Sequence, residues 1–454
     1  MITTINPANG KTIKEYTVMS SEEVSGIITD VSHAQKHWAK QSMKERARIL
    51  MQIADHLEKE KNELAKLMAE EMGKPLKQGV SEAEKCAWVC RYYAEQAENF
   101  LKDEAVDTEA TKSYVSFQPL GTVLAIMPWN FPLWQVLRFA APALMAGNAV
   151  LLKHSQNSTG CSLATEKLLT DAGLPENVFR SLIIERDQVE DVIANKDVHA
   201  VTLTGSTGAG KAVSSTAGKH LKKCVLELGG SDPYLILDDA DIDLASRKCV
   251  EGRLLNSGQS CIAAKRWIVT ESVYDQFLEK TEALLQEKKL GDPFDESTDV
   301  GPMARADLRD ELHQQVEESV KAGAKLHLGG EIPAGDGAYY PVTMLSNVQP
   351  GSPAYDDELF GPVASVIKAK DEEDAIRIAN DSVFGLGAAV FSRDTARAEK
   401  IARNRLHAGC CFVNDFVKSD PRLPFGGIGE SGYGRELSRY GILEFVNVKT
   451  VWVG

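Results

Sequence analysis

One cysteine stands in a setting that suits chemistry. Cys261 lies in the run NSGQSCIAAKR (256–266), where small and polar neighbours leave its sulfur uncrowded. Upstream, Glu227 ends an apolar stretch and is followed by Gly229 and Gly230. An accessible thiol and a carboxylate that acts as a general base are what covalent catalysis needs. Because cysteine is also among the most buried residue types, packing in a core is the alternative for Cys261.

The composition sets bounds on the partners of the chain. The 454 residues are 43% hydrophobic and 26% charged, which is typical of two or three globular domains. A net charge of −14 disfavours nucleic acid and anionic membranes as partners. The eight cysteines show no framework spacing, so we expect reduced thiols and no metal site. With no signal peptide and no apolar run of about 20 residues, a cytoplasmic protein is predicted.

Hydrophobic patterns predict the elements that carry these residues. Residues 21–102 have helical periodicity, with a helix start at Ser20–Glu23. From Gly121 onward, apolar strands alternate with helices, which indicates a parallel sheet covered on both faces. The predicted strands are Thr122–Met127, Asn148–Leu152, Phe179–Ile184 and Val198–Leu203. Ligands bind beyond the carboxyl ends of such strands, so the loops at 128–130, 153–156 and 205–207 are candidate site loops.

A period-two pattern closes the chain at 445–453. This amphipathic strand has no partner adjacent in sequence. We expect it to pair with the strand-like segment near 103–118 or with another subunit.

The run GSTGAGKA (205–212) nearly matches a nucleotide-triphosphate loop. Ala212 stands where that motif needs a hydroxyl for magnesium, so a P-loop-like nucleotide hydrolase is the weaker alternative. A glycine turn that opens a helix, with Ser206 as its cap, still favours the phosphates of a dinucleotide. An ordinary helix start is the other interpretation.

Four other residues have both a functional and a plain structural interpretation. Lys153 could bond ribose hydroxyls, or could simply emerge into solvent at the end of its strand. Asn130 could donate to an oxyanion, or could cap the following helix. Arg138 shares a helix face with Asn130 and could bind a substrate carboxylate, whereas a surface arginine is the default. Glu358, in a rigid turn, could hold ribose hydroxyls.

Taken together, these residues resemble the aldehyde dehydrogenase superfamily over nearly the whole chain. Within it, the runs 125–138, 224–233 and 301–305 resemble the bacterial succinate-semialdehyde dehydrogenases of the short type. The matching motifs, in order along the chain, are PWNFP (128–132), Lys153, GST (205–207), ELGG (227–230), GQSC (258–261), ELFGPV (358–363) and PFGG (424–427).

The resemblance implies an α/β fold with three parts. A Rossmann-like NAD(P)-binding domain would comprise 1–103 and 119–229, and a second α/β catalytic domain 230–428. A small β oligomerisation arm, 104–118 with 429–454, implies a homodimer or a homotetramer.

The resemblance also implies a role for each site residue. Cys261 attacks the aldehyde, Asn130 holds the oxyanion, and Glu227 activates the water that hydrolyses the thioester. A retained Glu227 implies a free acid as the product, since relatives that acylate coenzyme A typically lack it. NAD or NADP would contact Ile126, Met127, Pro128, Trp129, Lys153, Ser155, Gln156, Gly205, Ser206, Leu228, Glu358 and Phe360.

Some positions depart from the pattern of these relatives. Gln156 replaces a glutamate that repels the 2′-phosphate in many NAD-specific members, so use of both NAD and NADP is predicted. Arg138, Trp134 and Ser419 match positions at the substrate, but Leu255 replaces a second arginine that binds the substrate carboxylate. Lys418 or Arg422 could replace it. Ala263 excludes the redox switch that some of these relatives form with a second cysteine two residues after the nucleophile.

The predicted activity is the NAD(P)-dependent oxidation of succinate semialdehyde to succinate. A dehydrogenase of uncharged aldehydes, in which Arg138 has a purely structural role, is the alternative within the class.

Overall fold

The computed structural model describes all 454 residues. The chain begins with a hairpin and three helices: β1 (Ile2–Ile5), β2 (Thr12–Tyr16), α1 (Ser21–Trp38), α2 (Met43–Met72) and α3 (Leu76–Phe100). The predicted start of α1 is confirmed, because Ser20 and Glu23 form a reciprocal capping box. The apolar stripe of α2, which includes Leu50, Ile53 and Leu57, is buried. No helix of the protein is both long and apolar enough to cross a membrane.

Alternating strands and helices follow a short β segment. In chain order they are β3 (Glu104–Ala105), β4 (Lys112–Pro119), β5 (Thr122–Met127), α4 (Trp134–Met145), β6 (Ala149–His154), α5 (Thr159–Asp171), β7 (Phe179–Ser181), α6 (Val189–Ala194), β8 (Val198–Thr204), α7 (Thr207–Lys219) and β9 (Lys223–Glu227). Strand β5 has the predicted bounds. Strand β7 is shorter than predicted, since the Ile183 carbonyl accepts from the Met19 N–H and not from a neighbouring strand.

A second set of strands and helices comes next. It consists of β10 (Asp232–Ile236), α8 (Ile242–Leu254), β11 (Ala264–Thr270), α9 (Tyr274–Gln286), α10 (Ala306–Lys321), β12 (Lys325–Leu328), β13 (Thr343–Ser346), α11 (Pro353–Asp356), β14 (Val363–Ala369), α12 (Glu372–Asn380), β15 (Phe384–Gly385), β16 (Gly387–Phe391), α13 (Thr395–Asn404) and β17 (Cys410–Val413). The chain closes with β18 (Ile428–Gly429), β19 (Gly432–Tyr433), α14 (Ser438–Leu443) and β20 (Val446–Val453).

Two parallel sheets dominate the molecule, as predicted. The six-stranded sheet has the order β19-β9-β8-β5-β6-β7 and is parallel except for β19. The seven-stranded sheet has the order β12-β13-β14-β11-β10-β16-β17 and is parallel except for β12. Apolar strands without polar alternation form both sheets, because helices cover both faces. The carboxyl ends of β5, β6 and β8 carry the predicted site loops, and Glu227 is the last residue of β9.

A three-stranded sheet of order β20-β4-β3 stands apart from these two. Strands β20 and β4 pair antiparallel along their whole length, from Val446 opposite Pro119 to Val453 opposite Lys112. The terminal strand therefore pairs within its own chain. The segment 429–443, assigned to the arm from the sequence, instead adds β19 to the six-stranded sheet, because Gly432 pairs with Glu227. Within the predicted arm, β20 is the strand that pairs with β4, whereas β19 pairs with β9.

Candidate active site

A strained loop holds Cys261 between α8 and β11. Asn256, Ser257 and Gly258 have φ values of +56°, +55° and +76°, three consecutive residues in the left-handed region. Only glycine adopts this region without strain. A Cβ on Gly258 would also overlap the Gly361 carbonyl oxygen. The loop therefore has a single tight path past the turn at 358–362.

Hydrogen bonds from buried side chains fix this loop. The Asn256 amide donates to the Asn130 carbonyl at 2.7 Å and to the Gln259 carbonyl at 3.0 Å. From β11, the Lys265 ammonium donates to the Ser260 and Cys261 carbonyls at 3.0 and 2.6 Å. The loop is thus bonded on both sides of the cysteine, which leaves the thiol little freedom to move.

The Cys261 side chain is buried but lines two cavities. Burial raises the pKa of the Cys261 thiol well above its ordinary value, and the nearby Glu227 carboxylate raises it further. The positive charges of Arg138 and Lys265 act in the opposite direction. The backbone N–H of Cys261 donates to no acceptor in the protein, so it is free to bind an oxygen atom at the thiol.

Glu227, the last residue of β9, belongs to a buried charged triad. Arg138 Nη2 lies 3.2 Å from Glu227 Oε2 and 2.5 Å from Glu436 Oε2. Glu227 Oε1 accepts no hydrogen bond and is free to accept one from water. Burial raises the pKa of Glu436 to about 7, and its neighbour Glu227 adds to this effect while Arg138 opposes it. Arg138 therefore compensates two carboxylates beside the thiol.

This triad changes the interpretation of Arg138. The sequence predicts that Arg138 binds a substrate carboxylate, yet its guanidinium already pairs with two glutamates and bonds Thr204 Oγ1 at 3.3 Å. It also stacks over the Phe425 ring, 4.9 Å from the centroid. The Arg138 charge is therefore already compensated by Glu227 and Glu436 in this structure.

Asn130 lies between β5 and α4, close to the cysteine loop. Its side chain is buried, and Nδ2 donates to the Gln259 carbonyl at 3.2 Å. An amide nitrogen carries two N–H groups, so the second one remains available. This geometry is compatible with an oxyanion donor beside Cys261.

Three cavities form a continuous path through the predicted site residues. The large cavity, about 920 Å³, contains Ile126, Met127, Lys153, Ser155 and Gln156. The middle cavity, about 410 Å³, contains Leu228, Glu358 and Phe360 together with Asn130, Glu227 and Cys261. The large and middle cavities share Pro128, Trp129, Thr204, Gly205 and Ser206.

The small cavity, about 190 Å³, lies on the other side of the thiol, and Cys261 is the residue that it shares with the middle cavity. Trp134, Arg138 and Ser419 line it, as does Leu255. The structure therefore brings to one path every residue that the resemblance assigned to the chemistry, the dinucleotide or the substrate, with the thiol near its inner end. Arg422, the second candidate replacement for the missing arginine, lies outside it.

Sequence reasoning missed several residues in this path or beside it. Glu436 and Lys265 lie next to site residues, and Lys85 of α3 lines the small cavity. Lys265 had one signal, since two cations in a row, Lys265 and Arg266, fall in a strand whose residues are all buried. Glu436 and Lys85 had none, because each meets its site through folding of distant segments.

The glycine turn at 205–210 does not resemble a nucleotide-triphosphate loop in three dimensions. Ser206 caps α7 by accepting from the Ala209 N–H at 3.3 Å. The Lys211 ammonium, which would have to reach a phosphate, pairs with Glu430 at 2.8 Å. The hydrolase alternative therefore has no structural support. No group of three or more His, Cys, Asp or Glu side chains is placed to hold a metal ion.

The fold and the site define a two-sheet α/β protein with a buried cysteine where a nucleotide-sized cavity meets a smaller one. The model of the aldehyde dehydrogenase family matches residues 1–451, and the chain belongs to this family.

Named relatives extend the match over the full length. The chain is 46% identical to a probable succinate-semialdehyde dehydrogenase [NADP(+)] of Synechocystis, covering 100% of this chain and 99% of the relative. It is 45% identical to the Escherichia coli succinate semialdehyde dehydrogenase [NAD(P)+] Sad, covering 99% and 97%. A succinic semialdehyde dehydrogenase structure from Streptococcus pyogenes, in complex with NADP+, superposes with a TM-score of 0.97 at 36% identity and covers 100% of both chains.

Proposed function

We propose that this protein oxidises an aldehyde to the free carboxylic acid with NAD or NADP, and that succinate semialdehyde is its substrate. One observation carries the proposal: Cys261 is the residue at which a nucleotide-sized cavity and a small second cavity meet. A carboxylate, Glu227, lies beside the thiol. The arrangement lets a dinucleotide and an aldehyde reach one sulfur from opposite sides.

The residues of the large and middle cavities fit a dinucleotide. Thr207 and Gly208, at the N-terminus of α7, have backbone N–H groups without protein acceptors, which suits a pyrophosphate. A side chain at position 229 would not fit, because its Cβ would overlap Glu358 Oε2. Gly229 therefore keeps this space open. Glu358 itself is fixed by Lys265 Nζ at 2.9 Å and by the Gly230 N–H at 3.1 Å. Glu358 would thus be rigid when it holds ribose hydroxyls.

Both dinucleotides suit the outer end of the large cavity. Lys153 has no ionic partner there, and Gln156 Nε2 donates to Glu185 Oε2 at 2.6 Å. The uncharged Gln156 amide thus donates a hydrogen bond to the one carboxylate that it contacts. Relatives named for NADP(+) and for NAD(P)+ support the use of either dinucleotide.

The first chemical step belongs to Cys261. Its thiol proton passes to solvent in the middle cavity, and the sulfur attacks the aldehyde carbon. The resulting oxyanion takes hydrogen bonds from the free Cys261 N–H and from the Asn130 amide. When bound, the nicotinamide supplies the acceptor for the hydride, which leaves a thioester on Cys261.

Glu227 completes the turnover. It accepts a proton from water as the water oxygen attacks the thioester carbon. The carbon–sulfur bond then breaks, and the departing sulfur takes the proton back from Glu227, so that the acid is released and the thiol and the Glu227 carboxylate are regenerated. Arg138 holds Glu227 by one oxygen and leaves the other one free for this water. A carboxylate in this position supports a free acid as the product.

Relatives and charge together support succinate semialdehyde. Three full-length relatives carry this substrate in their names. The small cavity also contains cationic side chains, which suit an aldehyde with a carboxylate at its other end. Oxidation of uncharged aldehydes with equal kcat/KM would overturn this substrate, but not the thiol chemistry.

Substitution of the two catalytic side chains tests the mechanism. Cys261→Ala should lower kcat by at least about 10³-fold, because the nucleophile is lost. Glu227→Gln should keep one rapid burst of reduced dinucleotide and then turn over about 10²-fold more slowly, because hydrolysis has lost its base. Stopped-flow absorbance at 340 nm with succinate semialdehyde separates the two effects.

The control is Cys224→Ala, which removes another thiol outside the three cavities and should behave like the wild type. Wild-type turnover in Cys261→Ala would refute the covalent mechanism. A burst that is lost in Glu227→Gln would place Glu227 before acylation and not after it.

The arm sheet supports assembly into a homodimer or a homotetramer. Strand β20 is an edge strand, and Val448 and Trp452 on one of its faces are more than half exposed. Unpaired edges and exposed apolar faces are the surfaces by which subunits add to a sheet.

A further inference from the structure

Three cations line the small cavity, and two of them are neutralised. Arg138 pairs with Glu227 and Glu436. Lys418 pairs with Asp415 at 2.6 Å and is half exposed at the rim. Arg422, which is outside the cavity, pairs with Asp420 at 2.6 Å. No unpaired charge is therefore left for a ligand on Arg138, Lys418 or Arg422.

Lys85 is the exception. Its ammonium donates to Ser419 Oγ at 2.8 Å and lies over the Trp134 ring, 4.3 Å from the centroid. No carboxylate lies within salt-bridge distance of it. Burial, together with the charge of Arg138, lowers the pKa of Lys85 to about 8. A half-buried ammonium without a counter-ion is costly, and an anion in the cavity would relieve that cost.

The fold holds Lys85 in place through its neighbour on α3. One turn earlier, the buried Glu82 pairs with Lys74. Glu82 Oε1 also accepts from the Leu133 and Trp134 N–H groups at 2.9 Å, and so caps α4. This cap ties α3 to α4, and it fixes the distance between Lys85 and the Trp134 ring. Lys85 is therefore directed into the cavity and not into solvent.

We propose that Lys85, together with Ser419, binds the carboxylate of the semialdehyde at the end remote from Cys261. The inference rests on the proposed oxidation of a carboxylated aldehyde. The ammonium and the hydroxyl are adjacent donors, so they match the two oxygens of one carboxylate. Ser419 can accept from Lys85 and donate its own proton to the ligand. Leu255, which also lines the cavity, has no charge. Lys85 is therefore the cation that recognises the substrate carboxylate.

The ratio of kcat/KM for succinate semialdehyde to kcat/KM for butanal tests this site. Butanal has the same carbon chain without the carboxylate, so the ratio isolates the contribution of the charge. We expect a wild-type ratio well above ten. In Lys85→Met the ratio should fall about 10- to 100-fold, because one charge-assisted hydrogen bond to the carboxylate is lost. The fall should result from a higher KM for the charged substrate.

A second variant keeps the site testable if Lys85→Met does not fold. Lys85→Gln keeps a donor for Ser419 but removes the charge, and it should lose most of the same ratio. Ser419→Ala should lower the ratio by a smaller factor, about three- to tenfold. Lys418→Met tests the competing cation at the rim, and a larger loss there than in Lys85→Met would overturn the proposal.

The outcomes separate the two levels of inference. A wild-type ratio near one would overturn both the carboxylated substrate and the Lys85 site, while turnover of butanal through Cys261 would still stand. A high wild-type ratio that persists in Lys85→Met and Lys85→Gln would overturn the Lys85 site alone. If Arg138→Lys abolished the ratio but kept butanal turnover, the carboxylate would belong to Arg138.

Discussion

At the scale of single residues, the acidity of Cys261 results from opposing charges. Burial and Glu227 raise the pKa of the thiol, whereas Arg138 and Lys265 lower it. Arg138 acts twice, because it also neutralises the Glu227 charge that opposes thiolate formation. The thiol of the free protein is therefore mostly protonated near neutral pH. A buried thiol in this state is protected from oxidation and alkylation.

The pH dependence of alkylation checks this balance. In the wild type, the thiolate fraction is small at pH 7, so the iodoacetamide rate should rise as the pH increases above 8. Glu227→Gln removes a negative charge and should shift this profile to lower pH by about one unit, with an alkylation rate near pH 8 on the order of tenfold higher. The measurement is the rate of Cys261 carbamidomethylation by mass spectrometry.

The other thiols of the chain provide the internal reference for this experiment. Burial raises the pKa of Cys224 to about 11, and Glu227 does not contribute to that shift. The profile of Cys224 should therefore be equal in both proteins. A shift of the Cys261 profile to higher pH in Glu227→Gln would contradict the assigned effect of Glu227.

At the scale of elements, the loop before Cys261 determines the position of the sulfur. Its left-handed residues turn the chain sharply between the end of α8 and β11. Such backbone strain persists because Asn256, Lys265 and the Gly361 turn hold the loop from three sides. The neighbouring bonds thus stabilise a path that the loop would not adopt alone.

Gly258→Ala tests this element. Its φ of +76° and the Gly361 carbonyl leave no room for a methyl group, so the loop must shift. We expect a lower thermal midpoint, equivalent to at least about 1–3 kcal/mol, and kcat/KM reduced more than tenfold. The control is Gly218→Ala on α7, where nothing lies within 4 Å of the added Cβ, and stability should be unchanged or slightly higher. Wild-type turnover and stability in Gly258→Ala would show that the loop tolerates displacement.

Elements with strong local patterns could be predicted from the sequence. The apolar run of β5 and the caps of α1 and α7 depend on neighbouring residues, so their positions were recognisable. Strand β19 was not, because its two residues pair with β9 about 200 positions away. The site follows the same rule. Cys261, Glu227 and Asn130 stand in motifs, whereas the Arg138–Glu436 pair and the Lys85–Ser419 contact arise from packing of distant segments.

At the scale of the whole molecule, the arm sheet is the surface that suits self-association. Strand β20 is paired along β4 on one side only, and its other edge is open. Val448, Thr450 and Trp452 lie on one face of it, since side chains alternate along a strand. An apolar face of this kind is stabilised when a second copy covers it.

Light scattering after size exclusion tests the assembly. The wild type should elute at two or four times the protomer mass of 49.6 kDa. Val448→Glu with Trp452→Glu should lower the mass, because two charges would have to be buried. Lys449→Glu changes the opposite face of β20 and serves as the control for charge. A monomeric wild type would refute the proposed assembly, and an unchanged mass in the double variant would place the interface elsewhere.

The meeting of the middle and small cavities at one sulfur also has a consequence for inhibition. A compound that fills only the small cavity contacts Lys85, Trp134 and the thiol, but none of the walls where the dinucleotide would lie. Its inhibition constant would therefore be independent of the dinucleotide concentration. Compounds made for the two sides would bind together, and a linker past Cys261 would join them into one molecule of higher affinity.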